Sequence, residues 1–129
     1  MHKIRAFLVE DNPVIREALI PAMEELADVE VVAVADREDQ ALEWLDGHYP
    51  EISCLILDMF LIQGNGLGVL VGLRERSIDI PVIVLSNHAT DAMRERCLKA
   101  GARAFFDKAR ENDDFFDYLA AFRSRIIDA

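Results

Sequence analysis

The chain has 129 residues, 52% apolar and 29% charged, which suits one compact domain burying about two-thirds of its unfolded surface without disulfide staples. Its 24 acidic and 14 basic residues give a formal net charge of −10; such a surface repels phosphate backbones and anionic lipids, so direct nucleic-acid or membrane binding is not expected. No apolar run approaches the length of a membrane span and no secretion signal opens the chain, so a cytoplasmic protein with two reduced, mostly buried cysteines, Cys54 and Cys97, is expected.

The first apolar run, Ile4 to Val9, ends on Glu10-Asp11-Asn12-Pro13, where Asp11 or Asn12 can cap a helix. Val14, Ile15, Ala18, Leu19, Ala22, Met23 and Leu26 mark that helix, and Pro21, lacking a backbone donor, is expected to kink it. A second run spans Val29 to Ala35; Ala41, Leu42 and Leu45 mark the next helix, with Gly47 placed to end it. The third run, Cys54 to Leu57, delivers Asp58. After it, Gly64-Asn65-Gly66-Leu67-Gly68 reads as a flexible loop leading into a helix marked by Leu67, Leu70, Val71 and Leu73. Val82 to Leu85 ends on Ser86, and Ala92, Met93, Cys97 and Ala100 mark a fourth helix stopped by Gly101. A weaker fifth run, Ala104 to Phe106, leads to Lys108. Phe115, Leu119, Phe122 and Ile126 are expected to form one stripe of a last helix running almost to Ala129, with no length expected to remain for a tethered effector domain.

The runs are continuous rather than alternating, as in strands covered on both faces of a parallel sheet. Strand followed by helix, five times over, predicts an α/β fold in which an open parallel sheet carries helices on both faces.

In such a sheet the site lies at the carboxyl ends of the strands. Those ends deliver Glu10 and Asp11, Asp58, Ser86 and Lys108. Three neighbouring carboxylates repel one another unless a cation joins them, and Mg²⁺, which takes one or two carboxylates, waters and a phosphoryl oxygen, is their natural partner. That set suits phosphoryl transfer to a carboxylate nucleophile, with a lysine and a hydroxyl on the phosphoryl oxygens. Taken singly, each residue also reads as a solvated turn, strand-end or surface group.

At these positions the chain resembles the receiver domain of two-component response regulators: "LVEDN" with Glu10-Asp11, "LILDMFL" with Asp58, "VIVLSNH" with Ser86 and "GARAFFDK" with Phe105 and Lys108. The resemblance implies a single receiver domain over 1–129. Its fold would be flavodoxin-like and doubly wound, three layers α/β/α with five helices and strand order 2-1-3-4-5. It implies that Asp58 accepts a phosphoryl group from a histidine kinase or phosphotransfer protein. Mg²⁺ would bind Asp11 and Asp58 directly, Glu10 through water, and the backbone carbonyl of Phe60. Lys108 and Ser86 would hold phosphoryl oxygens, with Ser86 moving toward them and Phe105 turning inward as the switch. Phe60 and His88 occupy positions that tune how water reaches the acyl phosphate, and a bulky Phe60 is expected to slow self-dephosphorylation. The chain departs from the family's usual pattern at Ile62, Gln63, Asn87 and Ala109.

By the same resemblance the protein is a signalling switch rather than an enzyme on free substrate, acting on a downstream protein or effector domain, with phosphorylation-dependent homodimerisation a further option. The face bearing Arg94, Arg96, Lys99 and Arg103 beside Asp113, Asp114 and Asp117 serves a dimer, another partner or only solubility. The acids in the first turn argue against a dinucleotide-binding site, and Phe60, where haloacid-dehalogenase-type phosphatases carry a second aspartate, argues against turnover of free substrate. A receiver-like interaction module that signals without phosphorylation is the alternative.

Overall fold

The computed structural model describes residues 3–87 and 89–126, with side chains as far as 122. The elements follow in strict alternation: β1 (Ile4–Val9), α1 (Pro13–Ala27), β2 (Val29–Ala35), α2 (Glu38–His48), β3 (Cys54–Leu57), α3 (Gly66–Glu75), β4 (Val82–Ser86), α4 (Asp91–Lys99), β5 (Ala104–Asp107) and α5 (Asn112–Ile126). All strand pairs are parallel, in the order β2-β1-β3-β4-β5. This is the flavodoxin-like topology, with the three carboxylate-bearing and hydroxyl-bearing strands β1, β3 and β4 at its centre.

The continuous apolar runs serve two cores at once, because successive side chains of a strand point to opposite faces. Ile4, Ala6 and Leu8 of β1 and Cys54 and Ile56 of β3 pack with Leu19 and Met23 of α1 and Phe115, Leu119 and Phe122 of α5. Phe7, Val9, Leu55 and Leu57 face the other way, onto Leu42 and Leu45 of α2, Val69, Leu70 and Leu73 of α3 and Cys97 of α4. The central strands are therefore apolar on both faces, β3 end to end, with Arg5 of β1 and the terminal Ser86 of β4 the departures.

The helices differ in detail from the expectations. Asn12 caps α1, its Oδ1 accepting from the N–H of Val14 at 2.9 Å and of Ile15 at 3.3 Å. The buried stripe of α1 is Leu19, Met23 and Ala27, an i, i+4, i+8 line too narrow to include Val14, Ala18 and Leu26, which are exposed. The helix runs through Pro21, which stands on the solvent side together with Glu17, so the carbonyl deprived of its donor is open to water.

Gly47 does not end α2; the helix continues to His48 and passes into a 3-10 turn, Tyr49–Glu51. Pro50 supplies the stop, because it has no N–H to donate back into the helix. Val71 is exposed, and of α4 only Cys97 is buried. Gly101, at φ +114°, ends α4 as expected. The side chain of Ile126, and His88 altogether, lie outside the described residues.

The segment after β3 is pinned rather than loose. The N–H of Ile62 donates to Asp36 O at 3.0 Å and that of Glu38 to Gln63 O at 2.9 Å, and Arg37 and Gln63 form an isolated parallel bridge. Asn65 caps α3 by accepting from Gly68 N–H at 2.9 Å.

Candidate phosphoacceptor site

Backbone pairing at the sheet's carboxyl edge fixes the acids. The N–H of Asp58 donates to Val9 O and that of Glu10 to Ala35 O, both at 2.9 Å, so Asp58 and the Glu10-Asp11 pair leave adjacent strands side by side. Oxygens of Glu10, Asp11 and Asp58 all lie within 4.8 Å of one another. Glu10 is 1% exposed and Asp58 7%, which removes the reading of Glu10 as a solvated turn residue.

Backbone N–H groups hold Asp58 and Glu10. Met59 N–H donates to Asp58 Oδ1 at 2.8 Å, and Asn12 N–H to Glu10 Oε2 at 3.1 Å. Lys108, at the end of β5, pairs with Glu10 Oε1 and stands 3.4 Å from Asp58 Oδ2. Its own N–H donates to Ser86 O at 3.0 Å, which ties the lysine to the end of β4.

Burial raises the pKa of Glu10; the hydrogen bond from Lys108 opposes this and the charge of Asp58 adds to it. Burial raises Asp58 in the same way, with the charge of Lys108 in opposition, and burial followed by the neighbouring Glu10 raises Asp11. Three carboxylates thus face one ammonium, and the two negative charges that this cation leaves unbalanced invite a second cation.

A cavity of about 150 Å³ opens over these groups, lined by Glu10, Asp11, Asn12, Ile15, Asp58, Phe60, Asn87 and Lys108. Phe60 is 47% exposed and forms part of its wall. Ser86 is fully buried at the end of β4 and is absent from this wall, where Asn87 takes the outer position. Phe105 is 3% exposed and packs in the core on the α2, α3 and α4 side of the sheet. The guanidinium of Arg94 lies 5.0 Å from its ring centroid and donates to Phe105 O at 2.6 Å. No cis peptide occurs among the described residues, the bond before Ala109 included.

Sequence reading missed Arg16, whose Nη1 donates to Glu10 O at 2.6 Å and steadies the acidic turn from α1. Its position six residues after Glu10, one helical turn inside α1, is the signal that could have found it.

Residues 6–120 match the family model described as the response regulator receiver domain. The chain belongs to that family. Among relatives of this receiver, Nodulation protein W of Bradyrhizobium diazoefficiens is 32% identical over 124 residues, 95% of this chain and 52% of that protein. Nitrate/nitrite response regulator protein NarL of Escherichia coli K12 is 30% identical over 114 residues, 87% of this chain and 51% of that protein. The receiver therefore spans about half the length of these curated relatives.

Among solved structures, the signal receiver domain of NarL from Mycobacterium tuberculosis superposes with a TM-score of 0.82 at 25% identity, covering 94% of this chain and 96% of that one. The receiver domain of sensor histidine kinase PA1611 from Pseudomonas aeruginosa, whose active-site cleft coordinates magnesium, shares the fold with a TM-score of 0.77 at 23% identity, covering 99% and 100%. The chain is thus a receiver of two-component signal transduction. None of its described helices is long and apolar enough to cross a membrane.

Proposed function

We propose that this receiver is switched by phosphorylation of Asp58 in a Mg²⁺-dependent reaction with a histidine kinase or phosphotransfer protein. The observation that carries the reading is the convergence of Glu10, Asp11, Asp58 and Lys108 on one small cavity.

The donor set fits the ion. Two oxygens on one Mg²⁺ stand no more than about 4.2 Å apart at metal–oxygen distances of about 2.1 Å. A trio already within 4.8 Å closes on an ion through small side-chain rotations, or through a water on Glu10. Asp11 and Asp58 are assigned as direct ligands, with the carbonyl of Phe60 beside them. When bound, the ion neutralises charge on the transferring phosphoryl group.

The Asp58 carboxylate attacks phosphorus in the donor's phosphohistidine. The new P–O bond forms as the P–N bond breaks, and the departing imidazole nitrogen keeps the electron pair and takes a proton from solvent. Met59 N–H fixes the carboxylate through Oδ1, which keeps the attack geometry constant. Lys108 Nζ, next to Oδ2, is placed to follow the charge onto the phosphoryl oxygens. Ser86 reaches those oxygens by a shift of the end of β4, and because Ser86 O accepts from Lys108 N–H, such a shift is felt directly at β5. Phe105 and its Arg94 cover then report the change on the face made by α4, β5 and α5. A downstream protein or effector reads that face. Phe60 walls the approach of water, and His88 two residues past the hydroxyl is assigned to the same lifetime control.

Intact mass after incubation with a small acyl phosphate and Mg²⁺ tests the proposal. One added phosphoryl group on wild type and none on Asp58→Asn is the expected result. An unlabelled wild type, where a control receiver is labelled, overturns it in favour of a module that signals without phosphorylation.

A further inference from the structure

We infer that Glu38, on the first turn of α2, is a positioning residue for the phosphorylation site: it holds the segment between β3 and α3 so that Phe60 stays over the cavity. The inference rests on the proposed phosphorylation of Asp58 and adds a residue outside the site to it.

Phe60 sits two residues after Asp58, half exposed, and the segment that follows it leads into α3. That segment carries Ile62 and Gln63 and lacks the stiffness of a proline, so something else has to fix it.

Glu38 does so from across the α2–α3 junction. Its Oε1 accepts from the N–H of Asn65 at 3.0 Å, which brings a negative charge to the N-terminus of α3, and its backbone N–H donates to Gln63 O at 2.9 Å. Two glycines make room for it. A Cβ at Gly64 or at Gly68 would overlap the Glu38 side chain, and Gly64 is at φ +75°, a conformation that a side chain would strain. One carboxylate thus fills the space left by two glycines, and its acceptor holds the N-cap residue of α3. Neighbouring contacts, Ile62 to Asp36 and Asp39 N–H to Gln63 Oε1 at 3.1 Å, close the segment on the same side. Phe60 itself bridges to Asn65, so the residue Glu38 holds is also the one that Phe60 pairs with.

The test follows the first-order loss of phosphoryl label after removal of acyl phosphate, in full-length variants whose thermal unfolding is measured alongside. Glu38→Ala should shorten the labelled lifetime several-fold, and Gly68→Ala, which pushes the carboxylate away from the other side, should do the same. Glu38→Gln keeps the acceptor oxygen and should restore a lifetime near wild type. In a Phe60→Ala background, Glu38→Ala should add no further acceleration, because its effect runs through Phe60; a general loosening of the fold would accelerate decay in both backgrounds. An unlabelled wild type would sink the phosphorylation reading itself. A labelled wild type with Glu38→Ala decaying at the wild-type rate, or accelerating equally with and without Phe60, overturns the role of Glu38 alone.

Discussion

The guanidinium of Arg94 on α4 covers the ring of Phe105 on β5, 5.0 Å from its centroid, while Nη2 reaches Glu111 Oε1 at 2.6 Å. Glu111 in turn accepts from Asp107 N–H at 3.1 Å. One side chain therefore joins α4, β5 and the turn before α5 over the aromatic residue assigned to the switch. Both charged groups are about one-third exposed, so the ion pair is screened and the stacking carries much of the effect. Arg94→Ala should lower unfolding stability by about 1 kcal/mol, and Arg94→Lys should recover little of it because the planar stack is lost. Urea titration checks both; an unchanged midpoint for Arg94→Ala contradicts the clamp.

A divalent cation should stabilise the fold. At ten times its dissociation constant Mg²⁺ adds about 1.4 kcal/mol through linkage, read as a rise in melting temperature, and a chelator should reverse it. The pH dependence follows from the raised carboxyl groups. Without metal, a group whose pKa is raised by folding contributes stability that is greatest at low pH and lost as pH rises through the folded value. The ion needs the ionised forms, so its increment should grow with pH over that same interval. An equal increment in Asp11→Asn would place the ion elsewhere.

Gly66 opens α3 against the backbone of Asp58, the proposed acceptor. A Cβ there would meet Asp58 O at 2.6 Å and Met59 Cα at 3.1 Å, and its N–H already donates to Met59 O at 2.9 Å. Backbone cannot swing aside as a side-chain end can. Gly66→Ala should cost about 1–3 kcal/mol and slow phosphoryl labelling more than Gly47→Ala, whose Cβ meets nothing within 4 Å. Wild-type labelling in Gly66→Ala would refute the close approach.

Both cysteines are buried, and burial pushes the Cys54 thiol up to about 12. An unfolded thiol titrates near about 8.5. Between those values the folded chain keeps a proton that the unfolded chain releases, so this contribution to stability is full below the lower value and declines as pH rises toward the upper. At mildly alkaline pH iodoacetamide should label neither cysteine in the native protein and both in urea. Rapid native labelling of Cys54 would contradict its burial.

The strands were legible because both faces of a central parallel strand are apolar: Cys54 to Leu57 reads as a strand end to end and is one. The acids were legible because each directly ends such a run. Helix faces were less so. On α1, Val14 and Leu26 share the apolar character of Leu19 and Met23 but fall off the narrow stripe the sheet covers, and α4 buries so little that its pattern held scant information. Gly64 to Gly68 looked like a loose tract because its constraint lies across the fold, in Glu38. A contact between residues 27 apart leaves no periodic trace; only the glycine spacing hinted at it. Phe105 could be placed by its spacing from Lys108, but its cover by Arg94 belongs to the packing of α4 on β5.

The central claim is that Asp58 carries the phosphoryl group. Borohydride converts an acyl phosphate to an alcohol, so protein labelled with acyl phosphate and Mg²⁺, then reduced and sequenced by mass spectrometry, should show homoserine at position 58 and aspartate there when Mg²⁺ is withheld. Reduction at another acid, or unmodified Asp58 in protein that has taken up phosphate, would contradict the account.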